Sequence, residues 1–135
     1  MKTERLPGTD KRLYELVAPY AMNRKVIAEF DGYPILTGEN YCWFIIFDDD
    51  GNLSGFSAIR QTQTDVEFTF DYVIPEYRKN GIHKKLISER IKWCKKNGIT
   101  HIKADCTNEC LPHYLKSKFK IVKEFSKWHK VELML

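Results

Sequence analysis

One mixed α/β domain, built on a single sheet and spanning residues 1–135, is the fold class that this sequence predicts. Three observations lead there. Apolar residues recur at helical spacing near the N-terminus, strand-like runs follow around an Asp-Gly turn, and a strand–helix–strand–helix stretch completes the chain. A length of 135 residues suits one hydrophobic core. A composition of 43% apolar and 13% aromatic residues is too rich for a disordered chain.

The elements follow in order. Residues 2–6 read as a short strand, and Pro7-Gly8-Thr9-Asp10 as a turn that ends in a helix cap. Leu13, Leu16, Val17 and Tyr20 share one helical face, with Pro19 shortening or kinking that helix. A second helical piece covers Asn23 to Phe30 and stops at Asp31-Gly32-Tyr33-Pro34. Tyr41 to Phe47 is almost continuously apolar, as a buried strand should be. Asp48 to Asn52 is a solvated hairpin turn leading into a strand over Leu53 to Thr62. Gly55 within that strand signals a bulge or a close backbone approach.

The next strand, Val66 to Ile74, alternates sharply. Val66, Phe68, Phe70, Tyr72 and Ile74 are expected on one face, with Glu67, Thr69, Asp71 and Val73 on the other. A helix then runs from the glycine turn to Asn97-Gly98, with Ile82, Leu86, Ile91 and Cys94 near one stripe and its lysines mostly outward. Thr100 to Cys106 is a strand, and Asn108 to Ser117 a helix with Pro112 near its first turn. Ile121 to Ser126 and Val131 to Leu135 form a terminal hairpin.

Charge narrows the partners. The net charge of +4, from 22 basic and 18 acidic residues, permits an anionic ligand but falls short of a nucleic-acid-binding signature. No apolar run reaches membrane-spanning length, and Met1 to Arg5 lead into polar sequence, so a cytoplasmic protein is expected. The four dispersed cysteines suit reduced, buried thiols. Cys106, Cys110 and His113 have a metal-like spacing but lack a tight pair and a fourth ligand, so no metal is assigned. Cys110 at a helix start is a place where a thiolate is favoured, yet no complete nucleophile arrangement is visible.

The chemistry concentrates at Val73-Ile74-Pro75-Glu76-Tyr77-Arg78-Lys79-Asn80-Gly81-Ile82-His83. A β-branched strand ends, a basic turn with one glycine follows, and a helix begins. Unpaired amides and the helix dipole make such a start suitable for a pyrophosphate or another anion. A second motif is Asn108-Glu109-Cys110-Leu111-Pro112-His113-Tyr114-Leu115-Lys116-Ser117-Lys118-Phe119. A third feature is Glu67, on the strand ahead of the turn.

Together these features resemble the GNAT (general N-acetyltransferase) superfamily over nearly the whole chain. Arg78-Lys79-Asn80-Gly81-Ile82-His83 is similar to its phosphate loop, with His83 where a glycine or alanine is usual. That side chain would either crowd the pyrophosphate or donate a hydrogen bond to it. The resemblance implies a mostly antiparallel sheet flanked by helices, with one splayed strand pair. It implies acetyl-CoA as cofactor, the backbone of Asn80, Gly81, Ile82, His83 and Lys84 on the pyrophosphate, and added charge from Arg78 and Lys79. It places backbone groups at the strand end, Val73 and Ile74, against pantetheine and the thioester oxygen.

The same resemblance implies Asn108 on the pantetheine arm and Tyr114 as proton donor to the leaving sulfur. Glu67 corresponds to the general base of the histone-acetylating branch, with Asp71 a rival two residues along. The physical demand is an acceptor for a proton from an amine of pKa near ~10. The expectation is an N-acetyltransferase acting by direct attack on an unidentified amine, as monomer or homodimer. The alternatives are an inactive binding or regulatory module of the same fold and, through Lys84 to Lys96, a nucleic-acid-binding domain.

Overall fold

A computed structural model describes residues 1–63 and 65–135. Strand β1 (Lys2–Pro7) is followed by helices α1 (Lys11–Ala21) and α2 (Arg24–Glu29), then strands β2 (Tyr41–Phe47), β3 (Leu53–Gln61) and β4 (Val66–Val73). A 3-10 turn (Pro75–Tyr77) leads to α3 (Ile82–Lys96), β5 (His101–Thr107), α4 (Leu111–Lys116), β6 (Lys120–Glu124) and β7 (Trp128–Met134). The strands make one seven-stranded sheet in the order β1-β2-β3-β4-β5-β7-β6. Every neighbouring pair is antiparallel except β4 and β5.

Local chemistry explains the helix starts. Asp10 accepts from the Arg12 N–H at 2.8 Å and caps α1, which runs through Pro19 to Ala21. Asn23 accepts from Lys25 and Val26 N–H and caps α2. The helix expected from Asn108 begins only at Leu111. Pro112 has no N–H to return to the Asn108 carbonyl, so it is held at the first helical positions.

The sheet has a core on each face. On the face covered by α3 and α4 the core comprises Phe44, Ile46, Ile59, Phe68, Leu86, Ile87, Ile102 and Phe119. On the face covered by α1 and α2 it comprises Leu13, Val17, Trp43, Ile45, Phe56 and Tyr72. Fully burying one such Leu, Ile or Phe contributes roughly 1.5–3 kcal/mol. The helix α3 also buries Arg90, which sits with no exposed surface between Leu86 and Cys94.

The expected alternation of β4 breaks in the middle. The register passes from Ala58↔Thr69 to Phe56↔Tyr72, so Ser57 alone faces Phe70 and Asp71. Phe70 carries the extra residue of this bulge at φ +56. Val66 and Phe68 therefore enter the α3-side core, whereas Tyr72 enters the other one and Phe70 and Ile74 pack against it. Asp71 turns to the α3 face, opposite in direction to Glu67. The bulge thus corrects the single-face pattern expected for residues 66–74.

The close approach signalled by Gly55 is present. A Cβ there would lie 2.9 Å from Ile82 Cγ2, so the start of α3 sits directly on β3.

Candidate active site

The parallel ladder between β4 and β5 holds only Val66↔Ile102, Glu67↔Lys103 and Phe68↔Ala104. β4 then runs on to Val73 and β5 to Thr107 without pairing to each other, and a cleft of about 740 Å³ opens between them. The Ile74 N–H donates to Ser54 O at 2.9 Å and is spent on β3. Strand alternation turns the neighbouring Val73 N–H the other way, into the splay. Of these two expected backbone donors, only Val73 faces the cleft.

Gly81 caps α3 in the left-handed region, at φ +78, and no side chain caps the helix. The first helical hydrogen bond runs from Lys85 N to Gly81 O, so the Ile82, His83 and Lys84 amides have no acceptor within the helix. A Cβ built on Gly81 meets nothing within 4 Å, which leaves open space at the helix mouth. Lys79 and Lys84 line the same cleft. Asn80 braces the turn by donating to the Tyr77 and Arg78 carbonyls, both at 3.2 Å. This mouth fits the pyrophosphate of a coenzyme A.

Arg78 is less free than the sequence suggested. Its Nε donates to Val73 O at 2.9 Å and its Nη2 pairs with Glu29 at 2.8 Å. The guanidinium ties the loop to β4 and α2.

His83 neither crowds the loop mouth nor donates into it. Its ring is buried, with Nε2 2.7 Å from Asp71 Oδ2 and Nδ1 2.6 Å from His113 Nδ1. Asp71 also accepts two bonds from Arg90, both at 2.8 Å, and one from the Tyr114 hydroxyl at 2.5 Å. Burial alone would raise the Asp71 carboxyl, but Arg90 and His83 hold it well below the usual carboxylate range. A carboxylate so anchored is a poor acceptor for a substrate proton, which corrects its placing as a rival base.

Tyr114 is 1% exposed, and burial pushes its hydroxyl well above the ordinary tyrosine value. Its proton is directed at Asp71, and Arg90 Nη2 donates to its oxygen at 3.3 Å. This geometry departs from the expected proton donor to sulfur, because the proton already has an ionic acceptor.

Glu67 lies on the opposite sheet face, half-buried in the cleft, and pairs with Arg60 at 2.9 Å. Asp105, missed in the sequence, shares that face and that cleft. Partial burial raises its carboxyl, with Lys130 lowering it and Glu67 adding to the rise. The alternation of β5 around Ile102, Ala104 and Cys106 was the signal that could have found it.

Asn108 is not in the cleft. Its amide donates to Ser126 O at 3.1 Å and its oxygen meets His129 Nε2 at 2.6 Å, so it braces the β6–β7 turn. Thr107 lines the cleft instead. Cys110 is no thiolate site, since burial pushes its thiol up to about 11. Among the described residues, no group of three His, Cys, Asp or Glu side chains could hold a metal, and no helix is long and apolar enough to cross a membrane.

Arg90 also escaped the sequence reading. It belongs to the stripe Ile82, Leu86, Arg90, Cys94, in steps of four, where a charged residue reads as an interruption.

Solved structures share this architecture. A domain from Methanocaldococcus jannaschii superposes with a TM-score of 0.80 at 16% identity, covering 99% of each chain. Escherichia coli ElaA gives 0.79 at 15% identity, covering 98% of this chain and 99% of its own. A Bacillus subtilis acetyltransferase in complex with CoA gives 0.71 at 20% identity, covering 99% and 98%. No curated protein sequence matches the chain. The model of the Acetyltransferase (GNAT) family matches residues 11–112. With that match over most of its length, and the same mixed sheet with flanking helices, the chain belongs to the GNAT acetyltransferase family.

Proposed function

We propose that this protein transfers an acetyl group from acetyl-CoA to an amine by direct attack within a ternary complex. The observation that carries the reading is the splay of β4 from β5 beside an uncapped α3 N-terminus. The CoA complex of the Bacillus subtilis structure supports the same cofactor. Acetyl-CoA, when bound, supplies a thioester carbonyl and a sulfur leaving group.

The residues of the chain do the rest. The amides of Ile82 to Lys84, with Lys79 and Lys84, hold the pyrophosphate. The Val73 N–H holds the thioester oxygen as charge develops on it. Glu67 takes the first proton of the substrate ammonium, directly or through one water. Asp105 adds negative potential on the same face and draws a cationic amine towards Glu67.

Titration calorimetry with acetyl-CoA, followed by thiol release across a panel of amines, tests the reading. Micromolar to millimolar binding and acceptor-dependent thiol release are expected. Absence of cofactor binding at millimolar concentration ends it. Binding without thiol release from any amine leaves the fold a binding role.

A further inference from the structure

The buried Asp71–His83 pair reaches the cleft through one more imidazole. His113 is on α4, exposed and lining the cleft, and its Nδ1 lies 2.6 Å from His83 Nδ1. The two rings are 4.8 Å apart, centre to centre. Arg90, itself fully buried, holds Asp71 through two hydrogen bonds and anchors the chain.

The anchor fixes the proton between His83 and Asp71. An ionised carboxylate only accepts, so His83 Nε2 carries a proton and donates to Asp71. His83 Nδ1 can then act as an acceptor, with His113 Nδ1 supplying the proton between the rings. In that arrangement His113 is the Nδ1–H tautomer, with an unprotonated Nε2 at the end of the chain. A base oriented by a second group, itself oriented by a buried carboxylate, is the logic of a catalytic triad with one extra imidazole.

Resting on the acyl-transfer reading, we infer that His113 is the proton shuttle of that reaction. Its Nε2 takes the proton that the attacking nitrogen loses as the N–C bond forms. It returns that proton to sulfur as the C–S bond breaks. Glu67 holds the other proton of the ammonium, which leaves to solvent, so an ammonium and a thioester yield an amide, a thiol and one released proton. While Nε2 is protonated, the positive charge is shared through His83 with Asp71. Tyr114, the expected donor, has its proton committed to Asp71, and its neighbour in sequence stands in its place. Burial is the largest cause lowering the His113 imidazole below its ordinary value.

Two measurements test the shuttle. Long-range ¹H–¹⁵N spectra of the free protein at neutral pH should show His113 as the Nδ1–H tautomer. An Nε2–H tautomer overturns the inference without touching the acyl-transfer reading. In the second, His113→Gly should lower kcat by roughly a hundredfold or more, the usual contribution of acid–base catalysis. Acetyl-CoA affinity should stay within about threefold of wild type, because the pyrophosphate amides lie on α3. Added imidazole should restore a substantial part of the lost rate, which a merely structural histidine would not allow. A variant with kcat within about twofold of wild type, or one that imidazole leaves unchanged, overturns the shuttle. Wild-type protein that releases no thiol with any amine sinks the acyl-transfer reading, and the shuttle with it.

Discussion

His83 Nε2 lies 2.7 Å from Asp71 Oδ2, across the gap between the first turn of α3 and the bulge of β4. That contact explains how the start of α3 carries a histidine where the family's phosphate loop has almost no side chain. The imidazole leaves the loop and enters the protein. The bulge makes this possible, because it turns Asp71 to the α3 face.

His83→Ala should therefore not tighten cofactor binding. Acetyl-CoA affinity is expected within about threefold of wild type, while stability falls by roughly 1–3 kcal/mol through the loss of a charge-assisted hydrogen bond. Calorimetry and urea unfolding give the two numbers. A clear gain in affinity would mean that the ring obstructs the pyrophosphate.

Arg90 and Arg60 each meet a carboxylate, but their surroundings differ. Arg90 is fully buried against Asp71, whereas Arg60 and Glu67 are each about a third exposed. Arg90→Ala should cost roughly 3–5 kcal/mol because it strands a buried charge. Arg60→Ala should cost about 0–1 kcal/mol. Denaturant midpoints compare them directly, and equal losses would contradict the burial.

Acid should unfold the protein through Asp71. Its carboxyl is held below its unfolded value by Arg90 and His83, against burial. A group lowered in this way contributes stability that is complete above the unfolded carboxylate pKa near ~4 and is lost as pH falls towards the folded value. Unfolding free energy should fall steeply below pH ~4 in wild type and less steeply in Asp71→Asn, which starts lower. Parallel curves would remove Asp71 as the source.

Asn108→Ala and Gly81→Ala should separate the turn from the loop. Asn108→Ala should leave acetyl-CoA affinity unchanged and cost about 1 kcal/mol, since its bonds serve the β6–β7 turn. Gly81→Ala places a Cβ at φ +78, which costs about 1–2 kcal/mol. It should also weaken acetyl-CoA binding, because the strained cap misaligns the first-turn amides. Loss of affinity in the Asn108 variant would return that side chain to the pantetheine channel.

The order and type of the elements depend on neighbours in the chain and were legible without the fold. Tyr41 to Phe47, the Asp-Gly turn and Gly81 act within a few residues of themselves, and each was legible. The family resemblance also lay in such local motifs. Tertiary structure alone decided which way the functional side chains point. One extra residue at Phe70 reverses the facing of everything after it in β4, and its left-handed backbone has no local sequence mark. Arg90, Asp71, His83, His113 and Tyr114 come from three separate elements, and only the packed fold brings their charges and protons together. The burial that makes this network strong is a property of the sheet and both helices at once, so no single segment carries it.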